Sequence, residues 1–395
     1  MLSRRLAPGL AFVALLGILI GCGGGGGGGV GTLTSGNNGG NNNGSNNNNG
    51  GNNNGGNNNG GNNGLPAGQL PANVIFYTEV VPAGESELNV QVRHMSGEGA
   101  NDTLYTTLSG SSDETRPQVV AFAPSPVEAN VRFFAYQANL SAPIGIYRNT
   151  SVNIQGATQV VAPTYSVVSQ LMVSPDGSTL AYVAATGEGQ RRLYRVAASG
   201  ASAPVLLDAA EQAAVSPTGD RVVYSRPTPG SSDAGDIWSR PLKSAGDAVQ
   251  LTNSPADDTY PTFSRDGSRV VFSSGATFFE SDLFTMKSDG TDVVRVTNTP
   301  DVVEAGATFN EAGSQIAYIA TDNSDSTNSG VYRIAASGDA TTRVLLRAST
   351  SLGADLYWTS ADGRSRRIEV MRLTLPRKKQ AAKAEKAPAP APKVK

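Results

Sequence analysis

The chain has 395 residues with a formal net charge of −2, 38% hydrophobic and 16% charged residues, 46 Gly, 22 Pro, one Cys and one His. A lone cysteine excludes an intrachain disulfide, a thiolate zinc site and a CxxC redox pair. A lone histidine excludes a multi-histidine metal site and leaves any Ser-His-Asp mechanism a single residue to pass through.

At the N-terminus, Arg4 and Arg5 precede an apolar run of 11 positions from Leu10 to Ile20. That run is short of the roughly 20 residues that span a bilayer, so residues 1–21 read as a secretory signal peptide. It ends in Leu19-Ile20-Gly21-Cys22, which resembles the lipobox of bacterial lipoproteins. The resemblance implies a diacylglyceryl group on the Cys22 thiol, cleavage just before Cys22, and acylation of the new amino group. Several acyl chains, at about 0.8 kcal/mol per buried CH₂, hold stably where one does not. Gly23 and Gly24 stand where the inner-membrane retention signal of enteric lipoproteins carries aspartate. The expectation is an exported, lipid-anchored envelope protein at the outer membrane, on its periplasmic or surface face, with no nucleic-acid partner.

Residues 23–64 hold 19 Gly and 17 Asn. Gly loses the most backbone entropy on ordering, and neither residue supplies apolar area to offset that loss. Residues 22–64 therefore read as a lipidated cysteine followed by a disordered tether, with an r.m.s. span of roughly 35 Å.

Residues 65–375 carry an internal repeat. Val173-Ser174-Pro175-Asp176-Gly177, Val215-Ser216-Pro217-Thr218-Gly219, Phe263-Ser264-Arg265-Asp266-Gly267 and Phe309-Asn310-Glu311-Ala312-Gly313 align, and their glycines are 42, 48 and 46 residues apart. A looser copy ends in Asp362-Gly363 after a further 50. Each copy precedes an apolar strand (Leu180-Ala181-Tyr182-Val183, Val222-Val223-Tyr224, Val270-Val271-Phe272, Ile316-Ala317-Tyr318-Ile319) and then a strand with an aromatic and a short third strand. Counting the strand that ends in the motif gives four strands per unit, the size of one β-propeller blade.

The motif has a mechanical reading. Ser-Pro-Asp-Gly suits a type I turn, with Ser first, Pro fixing φ at the second position and Gly fourth. Pro175, Asp176, Gly177, Pro217, Gly219, Asp266, Gly267, Gly313, Asp362 and Gly363 are accordingly read as structural turn residues, not catalytic ones. Degraded units upstream (Val119–Ala123 with Val131–Tyr136, and Val74–Tyr77 with Leu88–Val92) bring the count to six. The expected fold is all-β: a six-bladed propeller of four-stranded antiparallel blades, closed by mixing N- and C-terminal strands. Ile368–Leu373 is a strand-like segment left over.

The run Tyr260-Pro261-Thr262-Phe263-Ser264-Arg265-Asp266-Gly267-Ser268-Arg269-Val270-Val271-Phe272, followed by Ser281–Gly290 and Arg295-Val296-Thr297, resembles the WD-like repeats of the TolB family of periplasmic proteins. The resemblance is good over about 167–300, looser to 363 and faint before 165. It implies a propeller whose loops at one end take up peptide segments of partner proteins.

Other candidates have plain structural readings. His94, at the end of a strand, lacks a recognisable nucleophile motif beside it. The acidic loop Asp322-Asn323-Ser324-Asp325-Ser326 has oxygen ligands suited to Ca²⁺ but not the EF-hand spacing, and Asp257-Asp258 reads as another solvated loop. Tyr182, Tyr224, Phe272 and Tyr318 read as packing residues. No cofactor is expected.

Residues 376–395 hold seven Lys or Arg against Glu385 alone, with Pro388, Pro390 and Pro392 alternating with Ala. This is an extended, disordered basic tail, suited to contact with an anionic surface. Together these readings describe a monomeric, non-catalytic envelope lipoprotein that binds a protein or a cell-wall polymer such as peptidoglycan. The alternatives are a propeller-based hydrolase or lyase acting on peptides or polysaccharides, and a passive surface protein.

Overall fold

The computed structural model describes residues 73–82, 88–110, 118–128, 131–139, 141–150, 154–187, 189–227, 235–277, 280–349, 352 and 356–358. The signal, Cys22, the linker, Asp362, Gly363, Ile368–Leu373 and the basic tail lie outside these residues.

The described chain is built from strands. In order they are β1 Val74–Pro82, β2 Leu88–Ser96 and β3 Thr103–Gly110; β4 Gln118–Pro124, β5 Arg132–Gln137, β6 Ile144–Asn149 and β7 Thr158–Tyr165; β8 Val167–Val173, β9 Thr179–Ala185, β10 Arg192–Ala197 and β11 Val205–Ala209. Then come β12 Gln212–Val215, β13 Arg221–Pro227, β14 Gly235–Pro241 and β15 Val249–Gln250; β16 Asp257–Phe263, β17 Arg269–Thr277, β18 Glu280–Lys287 and β19 Val294–Arg295; β20 Val302–Phe309, β21 Gln315–Asp322, β22 Gly330–Ala335 and β23 Val344–Ala348; and β24 Tyr357–Trp358. Within each group of strands, consecutive members pair antiparallel through hairpins, as local alternation and Pro/Gly turns dictate.

The expected closed ring of six blades is not what these strands form. Hydrogen bonding sorts them into five sheets: β24-β1-β2-β3, β4-β5-β6-β7, β11-β10-β9-β8, β12-β13-β14-β15, and one of eight strands running from β16 to β23. No sheet among the described residues closes on itself, and no six-fold repeat is evident. The physical reason lies at one backbone contact. Ser281 of β18 pairs with Val303 of β20 in parallel, fusing two four-stranded halves into one sheet. At the other end of the chain β24 contributes two residues beside β1, Trp358 opposite Ile75 and Tyr357 opposite Phe76.

Within a sheet, burial is graded. The second strands, β9, β13 and β21, are buried on both faces over most of their length, whereas β11, β15 and β23 begin with exposed residues. The sequence foreshadows this: unbroken apolar runs such as Leu180–Ala185 leave no face for water. The cores lie between neighbouring sheets. Ala214, Val223 and Ile237 pack with Phe263, Val270, Phe272 and Met286 from the next sheet, and Ile75, Tyr77 and Met95 pack with Ala317, Ile319 and Val331. Cross-strand aromatic pairs recur on the sheets: Phe134–Tyr147, Tyr182–Tyr194, Phe272–Phe284 and Tyr318–Tyr332 stack with ring centroids 6.1, 5.3, 5.8 and 5.8 Å apart. Such pairs stabilise beyond their buried area by roughly 0.5–1.5 kcal/mol.

Candidate functional site

The turn motif joins β8 to β9, β12 to β13, β16 to β17 and β20 to β21. In the first, Gly177 N–H donates to Ser174 O at 2.7 Å, Thr179 N–H donates to Ser174 Oγ at 3.0 Å, and that hydroxyl donates to Asp176 Oδ1 at 2.6 Å. Gly177, Gly219, Gly267 and Gly313 have φ of 72°, 71°, 74° and 67°, the left-handed region that Gly enters without steric cost. Ser264 and Asp266 repeat the Ser174–Asp176 geometry at 2.6 Å. In the second turn the acid is displaced: Ser216 Oγ donates to Asp220 Oδ1 at 2.7 Å, because Thr218 occupies the aspartate position. In the fourth, Asn310 Oδ1 accepts from Ser314 and Gln315 N–H.

Neighbouring turns also touch. A Cβ on Gly219 would lie 2.8 Å from Pro175 Cδ, and one on Gly267 would lie 3.5 Å from Pro217 Cδ, while Gly313 has open space around it. The structure therefore brings Pro175 to Gly219 and Pro217 to Gly267. Lys243 pairs with Asp176 at 2.6 Å; this and the bond from Ser174 hold the Asp176 carboxyl below the usual carboxylate range.

The remaining sequence candidates are engaged in the fold. His94 is half-buried with its ring 5.2 Å from Phe76, and burial pushes its pKa down against the opposing effect of Asp102. Asp322 accepts N–H bonds from Ser324 and Asp325, both at 2.8 Å, and Asp325 accepts one from Thr327 at 2.9 Å. Those oxygens thus organise the loop itself, and no group of three or more potential metal ligands is found among the described residues. Asp257 Oδ1 accepts from Gly235 N–H at 2.9 Å.

Two polar clusters were not anticipated. One ties the N-terminal sheet to β23. Asp102 accepts from Arg93 Nε and Nη2 at 3.0 and 3.1 Å, from Tyr77 at 2.7 Å and from Arg347 Nη1 at 2.7 Å. Arg347 also reaches Glu79 at 3.3 Å, and Ser349 Oγ donates to Glu79 at 2.7 Å.

The other lies where β18 meets β20. Glu304 is fully buried. Its carboxyl accepts from Thr299 Oγ1 at 2.8 Å and from Thr297 Oγ1, which itself accepts from Leu283 N–H at 2.8 Å. Asp282, also buried, accepts from Thr299 N–H at 3.0 Å and pairs with Arg295. Burial, supplemented by the Asp282 charge, pushes the Glu304 carboxyl up to about 7 against the lowering effect of Thr297, Thr299 and Arg343. A similar box sits one unit earlier: Thr252 Oγ1 accepts from Ile237 N–H at 2.9 Å and donates to Asp236 at 3.4 Å, and Ser254 donates to the buried Asp258 at 3.3 Å. Asp258 is likewise shifted up, chiefly by burial. The signal was in the sequence. Thr252-Asn253-Ser254-Pro255 and Thr297-Asn298-Thr299-Pro300 recur 45 residues apart, each followed by an acid.

Comparison with known proteins fits an architecture of this kind. A crystal structure of TolB from Acinetobacter baumannii superimposes with a TM-score of 0.52 at 15% identity, over 73% of this chain and 67% of that one. The likeness is one of fold. A putative TolB from Agrobacterium tumefaciens gives 0.48 at 17% identity over 65% of this chain and 91% of its own, and a puromycin hydrolase gives 0.45 at 13% over 70% and 46%. No protein-family model matches the chain, and no curated protein sequence does.

Proposed function

We propose that the chain is a non-catalytic envelope lipoprotein whose TolB-like all-β domain, residues 65–375, is a scaffold for binding a protein or a cell-wall polymer. The shared fold with the A. baumannii TolB carries this reading. The paired carboxylates and arginines support it, since they are committed to bonds between and within sheets. In this reading residues 1–21 direct export, Cys22 is lipidated and holds the chain at the outer membrane through the 22–64 tether, and the basic segment 376–395 adds attraction to an anionic surface.

The test has two arms. Cells carrying the full chain are labelled with a radioactive fatty acid and fractionated. The wild type is expected to take up label and sediment with membranes, whereas Cys22→Ser is expected to do neither. The purified protein is then mixed with isolated peptidoglycan and with detergent-solubilised envelope proteins. Label-free wild type, or a protein that retains neither class of partner, overturns the proposal.

A further inference from the structure

The joint of the eight-stranded sheet is narrow. Among the described residues only Ser281 and Val303 pair as strand neighbours across it, and further hydrogen bonds over the joint meet at one residue. Glu304 N–H donates to Ser281 Oγ at 3.1 Å, and that hydroxyl donates to Glu304 O at 3.0 Å. Its carboxyl engages Thr297 and Thr299, which follow β19 in the first half of the sheet. Backbone and side chain of this single acid thus bond the second half to the first, beside a buried apolar cluster in which Val271, Leu283 and Val296 meet Val302, Ala307 and Phe309. A buried carboxyl without a cation bonded to it is favoured in its neutral form.

We propose that Glu304 is a proton-operated latch: neutral, it locks β20 to the β18–β19 half of the sheet, and ionised, it lets that joint open. The groups facing it set the direction. Asp282 on β18 opposes ionisation. Arg343, ahead of β23, favours it but is engaged elsewhere, donating to Tyr318 on β21 at 2.8 Å and lying 3.9 Å over the Tyr332 ring. Arg295 on β19 is directed to Asp282. Of the ionisable groups on β16 and β17, which also pack on β20, Asp257 bonds to Gly235, Asp258 to Ser254, and Arg269 to Asp292 and Thr285; Tyr260 completes the set.

The sign follows from linkage. The folded carboxyl titrates near 7, above the ordinary value that it regains once the joint opens to water. Closure is therefore complete below the ordinary glutamate range, weakens as pH rises through the interval between the two, and levels off above the folded value.

The experiment is hydrogen exchange on the full chain from pH 5 to 8, with rates divided by the intrinsic exchange rate at each pH. Protection of amides in 302–309 is expected to fall by up to ~10-fold per pH unit between about 5 and 7, then flatten. Amides of β9, which lies in another sheet, are expected to hold steady. Glu304→Gln, which cannot ionise, should show pH-independent protection in 302–309. Asp282→Asn, which removes the neighbouring charge, should move the wild-type midpoint to lower pH. Should Glu304→Gln fail to fold, the carboxyl-carbon titration of Glu304 by NMR in the wild type decides instead. Protection in 302–309 that is flat with pH, an unchanged profile in Glu304→Gln, or a Glu304 midpoint in the ordinary carboxylate range would each overturn the latch.

Discussion

At the residue scale, two positions show how differently a single group can matter. Gly290 has φ of +88°, and a Cβ there would lie 2.9 Å from Leu251 O. Gly290→Ala therefore meets both backbone strain and a carbonyl that cannot swing aside. A loss of about 1–3 kcal/mol is expected in urea denaturation. Lys243–Asp176 is the opposite case. Its partners are 36% and 53% exposed, so water screens the pair and Lys243→Ala should cost under ~1 kcal/mol in the same measurement. The sign of its pH dependence is fixed all the same. Because the Asp176 carboxyl is held low, its contribution is present above the ordinary aspartate pKa and disappears as pH falls through the depressed folded value. A melting temperature that rises on acidification solely through Asp176, judged against Asp176→Asn, would contradict this.

Residue by residue, the sequence was legible where a backbone need dictates a side-chain type. The left-handed positions at Gly177, Gly219, Gly267 and Gly313 are visible as glycines because little else adopts that conformation. Asp220 was missed for a related reason: the motif suggests an acid two residues earlier, and only the folded loop shows that a hydroxyl at Thr218 leaves room for the next carboxylate to serve Ser216. Asp282 and Glu304 were missed because an acid in a sequence is read as solvated unless its partners are known. Those partners, Thr297 and Thr299, are marked only by the recurrence of their tetrapeptide, which does not say which acids they bond.

At the scale of elements, the seams carry the stability. Phe272 on β17 is buried, stacks on Phe284 and packs against Phe263 and Ile237 from two sheets. Phe272→Ala removes the ring and leaves a cavity that neighbouring strands cannot fill, so a loss of about 3–5 kcal/mol is expected by chemical denaturation. Arg347 on β23 is the polar counterpart. It bonds to Asp102 and Glu79 of the N-terminal sheet, and its loss leaves two partly buried carboxylates with fewer donors. Arg347→Ala should cost roughly 1.5–3 kcal/mol, with faster proteolysis of the N-terminal sheet as an independent readout.

For the molecule as a whole, strand content and order were readable from runs and turns, but sheet membership was not. Whether two units stay separate or merge depends on one backbone pair, Ser281 with Val303, and backbone groups are the same at every position. Sequence reports side chains, so it identified hairpins and left the count of sheets open to error; a closed ring of six blades was expected and five sheets are found. The edges are handled by a device that the glycines reveal. Cβ atoms on Gly99, Gly200, Gly290 and Gly338 would each lie within 2.9 Å of the backbone of Leu346, Gln159, Leu251 and Arg295, respectively. In the first three a turn from one sheet thus presses on a late strand or its following residue in another, and in the fourth a turn presses on β19 within the eight-stranded sheet, limiting access to an edge that would otherwise template aggregation.

The pairing of Trp358 with Ile75 has a geometric corollary. Because β1 and β24 run antiparallel, the start of the first described strand and the end of the last lie side by side. Drawing those two ends apart therefore means breaking this short ladder.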